Sequence, residues 1–180
     1  MFVLAVPIGI LVGFLLGGRI DGLGRLRIRW AGLAVAGLLG QVLVFSDAVA
    51  LRAADLVPPL YVTSTVAVLV AVLVNIRVPG MALVALGAVL NLAAILANGG
   101  YMPADPGALA LAGLETTGVH LNSVADAEPA LKPLTDIYAL PAGTPLANVF
   151  SVGDVLLGIG IAWVIAAAMR RRRSAAPEPA

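Results

Sequence analysis

Five apolar runs, at residues 2–17, 30–45, 59–74, 79–97 and 152–169, organise the chain, and polar or basic segments punctuate them. A helix needs roughly 17–25 apolar residues to cross a bilayer, so the pattern predicts five transmembrane helices, the first of them short. No cation precedes the first run and a cationic cluster follows it. That is the reverse of a secretory signal peptide, so cleavage is not expected. The third run opens at Pro58-Pro59 and the fourth at Pro79, residues that a helix start tolerates. The links after the second and third runs are short, which predicts that helices two, three and four are antiparallel neighbours. The stretch 98–151 is different. At about 50 residues it far exceeds an ordinary connection, and it carries apolar patches of its own. It is expected to fold over the outer mouth of the bundle. Asp105-Pro106 reads as an N-cap followed by proline at the first helical position, opening a short helix to about Leu114. Residues 131–141 read as a second apolar turn or short interfacial helix, and the small, proline-containing tail 174–180 reads as disordered.

Composition agrees with this picture. Hydrophobic residues make up 61% of the 180 and charged residues only 12%, with a mean hydropathy of +1.03. A soluble domain of this size cannot hide so much apolar surface. The net charge of +1 argues against a nucleic-acid partner. The absence of cysteine excludes disulfides, thiolate catalysis and cysteine-ligated metals. Charge does fix an orientation. With the C-terminus in the cytoplasm, nine cations fall inside (Arg19, Arg25, Arg27, Arg29, Arg77 and the four from Arg170 to Arg173), and two, Arg52 and Lys132, fall outside. Asp47, Asp55, Asp105, Glu115, Asp126, Glu128, Asp136 and Asp154 fall outside or at the outer boundary. The expected fold is therefore an all-α integral membrane protein with five transmembrane helices. The N-terminus is outside and the C-terminus inside, and a long, partly ordered extracytoplasmic loop caps the bundle between helices four and five.

Small residues recur every four positions in the first two helices: Gly9, Gly13 and Gly17, then Gly32, Ala36 and Gly40. Such stripes let helices approach closely, so they predict either packing of helix one on helix two or a docking face for a partner. Gln41, Thr63, Ser64, Thr65, Asn75 and Asn91 are the polar side chains in or near the spans, and none ionises. Unpaired amides are costly in an apolar medium, so Gln41 and Asn91 are expected to face the bundle.

Two local constellations stand out. Asn91 and Asn98 lie seven apart on one helical face with Gly87 and Ala94. Asn98-Gly99-Gly100, with Pro103 beyond, also suits a helix exit. Ser151-Val152-Gly153-Asp154 before the last run reads as a capping box. Asn91, Asn98, Asp136 and Asp154 are expected to converge near the outer leaflet as a ligand site, with Tyr101 and Met102 folded over them. Arg25, Arg27 and Arg29 with Trp30 suit anionic lipid headgroups. His120, the single histidine, has no metal-ligand spacing around it, and neither a metal nor a cofactor is implied.

At these places the chain resembles the bacterial membrane family called domain of unknown function 5317. The likeness is carried by Gly17-Gly18-Arg19, Arg25-Leu26-Arg27, Asn91 through Met102-Pro103, Phe150-Ser151-Val152-Gly153-Asp154 and Thr135-Asp136-Ile137-Tyr138-Ala139-Leu140-Pro141. Thr135 departs from a family segment that is richer in glycine before the Asp. The resemblance covers nearly all of the chain except the tail. It implies a multi-pass protein of the bacterial inner membrane and no particular activity.

Three functional classes follow. The first is a non-enzymatic accessory or scaffold subunit that binds a membrane partner, another copy of itself, or lipid. The second is a permeability element or transporter for a small solute with Gln41, Asn91 and Asn98 along a polar path, although five helices do not divide into the two halves of an inverted repeat. The third is a membrane enzyme using Asp136 and Asp154 as acid and base.

Overall fold

The computed structural model describes residues 2–46, 53–114, 119–120 and 123–170. The tail 174–180, Arg171 to Arg173, Asp47, Arg52 and Glu115 lie outside the described residues. The described residues form six α-helices: α1 (Phe2–Leu15), α2 (Ala31–Val44), α3 (Val57–Val74), α4 (Met81–Ala97), α5 (Pro106–Leu111) and α6 (Val152–Arg170). Five of them coincide with the five apolar runs to within two residues at each end. Among the described residues two helices are long and apolar enough to cross a membrane: Ala54–Val74, where a short 3-10 turn leads into α3, and α6, each with a mean hydropathy of 2.1. The apolar helices Leu4–Leu15, Ala31–Val44 and Met81–Ala97 are shorter.

The fold is mostly helical rather than all-α. Among the described residues five short strands, β1 (Met102–Ala104), β2 (Val119–His120), β3 (Ser123–Ala125), β4 (Tyr138–Leu140) and β5 (Asn148–Phe150), occur between α4 and α6. β1 pairs parallel with β3, which pairs antiparallel with β2, and β4 pairs antiparallel with β5. The physical reason is length. About 50 residues folded back on a bundle must satisfy their own amides, and short ladders do so where no further helix forms. Ala104, Ala108, Leu109, Ala112 and Val149 form a small core between α5 and the strands. Asp105 caps α5 as expected, its carboxylate accepting from the Ala108 N–H at 3.0 Å, but the helix stops at Leu111. Residues 131–141 form a 3-10 turn, Lys132–Leu134, and strand β4.

The long helices pack as a row in the order α1, α6, α4, α3, α2. Helix one therefore packs on the last helix and not on the second, contrary to one expectation from the glycine stripes. The reason is geometric. Gly9 faces the backbone of Ala162, where an added Cβ would lie 2.8 Å from the carbonyl oxygen, and Gly13 faces Met169. The register rises together along both helices, so α1 and α6 run parallel. The Arg19 N–H then donates to the Met169 carbonyl at 2.9 Å, and the 3-10 turn Ile20–Arg25 lays Gly22 across the end of α6.

α4 and α6 meet along a second glycine seam in the antiparallel sense. Gly80 faces Gly160 and Val164, while Gly87 faces Gly153 and Leu157. Heptad-spaced glycines on both helices let the backbones touch, where dispersion and weak Cα–H donors to carbonyls replace side-chain packing. α2 lies antiparallel on α3, with Arg29 against Asn75, Gly37 against Val68, and Phe45 edge-on to Tyr61 at 4.9 Å between ring centroids. These registers put Arg19, Arg25, Arg27, Arg29, Arg77 and Arg170 at one end of the row. The described residues of 98–151, with Asp105, Asp126, Glu128 and Asp136, lie at the other.

Candidate functional site

The polar heart of the structure lies where α6 begins beside α4. Ser151 is fully buried just before α6. Its Oγ accepts from the Asp154 N–H at 3.0 Å, and the Asp154 carboxylate accepts from the Ser151 N–H at 3.1 Å, which together make a reciprocal capping box. Asn91 on α4 joins both residues. Its Nδ2 donates to Asp154 Oδ1 at 2.8 Å, and its Oδ1 accepts from the Ser151 hydroxyl at 2.9 Å. Gly153 makes room for the Asn91 amide, since any Cβ there would collide with Oδ1. The result is a closed ring of hydrogen bonds that pins α4 to the start of α6. Its chemistry is that of a fastener, with the carboxylate of Asp154 also meeting the positive end of α6.

Asn98 belongs to a different device. As the C-cap of α4 it donates from Nδ2 to the Ala94 and Ala130 carbonyls at 2.7 and 2.9 Å, and its Oδ1 accepts from the Ala130 N–H at 2.9 Å. It thereby holds both backbone groups of one loop residue. Asp136, 5% exposed, lies on another edge. Its N–H donates to the Pro103 carbonyl and its carbonyl accepts from the Asp105 N–H, both at 3.0 Å, so residue 136 extends the β1 ladder. The neighbouring Thr135 is fully buried, its hydroxyl donating to the Lys132 carbonyl at 2.8 Å. Met102 and Tyr101 do not fold over the amides. Met102 is in the core cluster with Val44, Val57, Tyr61, Ala94 and Ile95, and Tyr101 packs against that cluster. The structure thus brings Asn91, Asp154 and Ser151 together, and distributes Asn98, Asp136, Tyr101 and Met102 among other tasks.

The glycine stripes also divide. Gly9 and Gly13 are spent on α6, whereas Gly17, at φ +74, closes the end of α1 and has open space beside it. On α2 the packed glycine is Gly37, which the spacing argument did not select. Gly40 only grazes Ser64, and Gly32 and Ala36 are exposed. The buried face of α2 follows Gly37, Gln41 and Val44, with Gln41 Nε2 donating to Thr65 Oγ1 at 3.3 Å. His120 joins β2 through its backbone.

At the opposite end Asn75 repeats the device of Asn98. It is the C-cap of α3 and 4% exposed. Its Oδ1 accepts from the Arg29 N–H at 2.8 Å, and Nδ2 donates to the Arg29 and Ala71 carbonyls, each at 2.7 Å. Two asparagines, at C-caps on opposite ends of the row, therefore each grip the N–H and C=O of one distant residue. Next to Arg29, Trp30 adopts the left-handed region at φ 56 and is largely exposed. Sequence reasoning counted Asn75 only as a polar residue near the membrane. Its placement directly after an apolar run was the available signal. The heptad glycines 80, 87, 153 and 160 were equally readable as a pair of matching spacings.

The chain matches the family described as "Family of unknown function (DUF5317)" over residues 25–166. Asn75, Asn91, Asn98, Ser151 and Asp154 all fall within that span, while Gly17-Gly18-Arg19 falls before it. Neither the curated proteins nor the solved structures hold a match to the chain. With the match extending over most of its length, the chain belongs to the DUF5317 family.

Proposed function

We propose that this is a five-span protein of the bacterial inner membrane, N-terminus outside and C-terminus inside, acting as a non-enzymatic accessory or scaffold subunit for a membrane partner. The observation that carries this reading is the open face of α2. Among the described residues that helix is outermost in the row and packs by one face only, leaving Gly32 and Ala36 exposed, as are Val42 and Leu43 at 70% and 65%. Apolar side chains at that exposure need lipid or another helix around them, and small residues among them permit close helix contact. The polar residues that an enzyme or a conducting path would use support the same reading. Asn91, Asp154 and Asn98 are held in hydrogen bonds that fasten helix to helix and helix to loop. Arg25, Arg27, Arg29 and Trp30 would sit at the inner headgroup level, where cations and an interfacial tryptophan suit the boundary.

The test is a mild-detergent pull-down from the native host at endogenous expression, read by mass spectrometry. One stoichiometric membrane protein is the expected result, and it should be lost in Ala36→Leu while the unfolding temperature stays unchanged. Recovery of the chain alone, or a partner retained equally by Ala36→Leu, would contradict docking through this face.

A further inference from the structure

The end of the row opposite the folded 98–151 segment carries a depression of about 390 Å³ between the segment that leads into α2 and the turn that follows α3. Arg27 and Arg29 line it together with Val74, Asn75 and Arg77. Arg77 lies far along the sequence from Arg27 and Arg29, so their meeting is a product of the fold. It is also fixed in place. Asn75 grips both backbone groups of Arg29, and the Val78 N–H donates to the Asn75 carbonyl at 2.8 Å. One buried amide therefore sets the separation of the two arginine-bearing segments.

Among the described residues none of the three has an ion-pair partner; the acids that do pair, Asp21 and Asp105, hold Arg19 and Lys132. Three exposed guanidinium groups around one depression concentrate positive charge, which an anion placed among them neutralises. Guanidinium forks match phosphate oxygens bidentately. The apolar wall, Leu73, Ile76 and Val78, suits a ligand whose phosphate carries carbon next to it.

We infer that Arg27, Arg29 and Arg77 form a binding site for a phosphate-bearing anion of organic character, such as a glycerophosphate group, supplied either as a phospholipid headgroup or as a free ligand. Arg77 is the new member. Arg25, at the end of the 3-10 turn, does not line the depression. The inference deepens the headgroup part of the proposed function. It rests on that reading only for the source of the anion, since a site that takes phosphate in micelles stands whichever way the chain is oriented.

The experiment uses the full chain, stripped of lipid in a neutral detergent. Native mass spectrometry compares retention of phosphatidylglycerol with phosphatidylcholine, and thermal unfolding in the same micelles is followed with glycerol 3-phosphate. For a lipid source, phosphatidylglycerol should be retained about tenfold over phosphatidylcholine, and Arg77→Gln or Arg29→Gln should remove about tenfold of that preference. For a free ligand, glycerol 3-phosphate should raise the unfolding temperature of the parent protein and not that of Arg77→Gln. Arg19→Gln, which loses the same charge outside the depression, should behave as the parent in both arms. Each variant is first required to unfold at the parent temperature without ligand. Equal retention of the two lipids together with no effect of glycerol 3-phosphate overturns the site, and so does a loss in Arg19→Gln as large as that in Arg77→Gln.

Discussion

Gly153→Ala is expected to cost about 2–4 kcal/mol of stability in mixed-micelle unfolding, through overpacking and lost hydrogen bonds together. An alanine Cβ at 153 would occupy the space of Asn91 Oδ1 and lie 2.9 Å from the Gly87 carbonyl oxygen. Two responses are available, and both are costly. If the Asn91 amide rotates away, its bonds to Ser151 and Asp154 are lost, and a buried hydroxyl and a half-buried carboxylate each lose a partner. If the helices separate instead, the close contacts at Gly80, Gly87 and Gly160 open as well. Gly158→Ala in the same helix is the matched control. Nothing lies within 4 Å of an added Cβ there, so this variant should be neutral or up to about 1 kcal/mol more stable through helix propensity. Equal effects at 153 and 158 would mean that the seam is not packed as described.

Asn75→Leu should cost about 2–3 kcal/mol, whereas Asn98→Leu should cost about 1 kcal/mol, although the two asparagines make the same pattern of bonds. The difference comes from surroundings. Asn75 is 4% exposed, and the groups it satisfies have little water to turn to. The bonds of Asn98 to Ala130 are at the surface, where water can replace the amide. Loss of Asn75 also releases Arg29 and removes the support for the left-handed Trp30. The check is chemical unfolding of both variants under one condition, with tryptophan emission as a second readout. Asn75→Leu should shift the emission and Asn98→Leu should not. Equal losses at the two sites would place their worth in helix capping alone.

The helices were legible because each apolar run is long and bounded by proline, glycine or charge, so boundaries such as 152–169 fell within a residue of the observed Val152–Arg170. Local caps were legible for a similar reason: Asp105 with Pro106, and Ser151 with Asp154, need only a few adjacent residues. Pairing between helices was not legible from one helix at a time. Gly32, Ala36 and Gly40 form a regular stripe, yet α2 packs through Gly37, because the face opposite Ser64 and Val68 on α3 decides which small residue is used. The strands were missed because three-residue ladders such as Met102–Ala104 carry no periodicity of their own. They exist because distant backbone meets them, as at Asp136. The gathering of Arg77 with Arg27 and Arg29 depends on the α2–α3 register in the same way.

The proposed topology places the arginine-bearing end of the helices inside the cell and residues 98–151 outside. The chain contains no cysteine, so single-cysteine labelling with a membrane-impermeant maleimide has no background. Gly24, with open space beside it, and the exposed Glu128 report the two ends. In intact spheroplasts Glu128→Cys should be labelled, while Gly24→Cys should be labelled only after the membrane is disrupted. Labelling of both from outside, or of Gly24→Cys alone, would contradict the account.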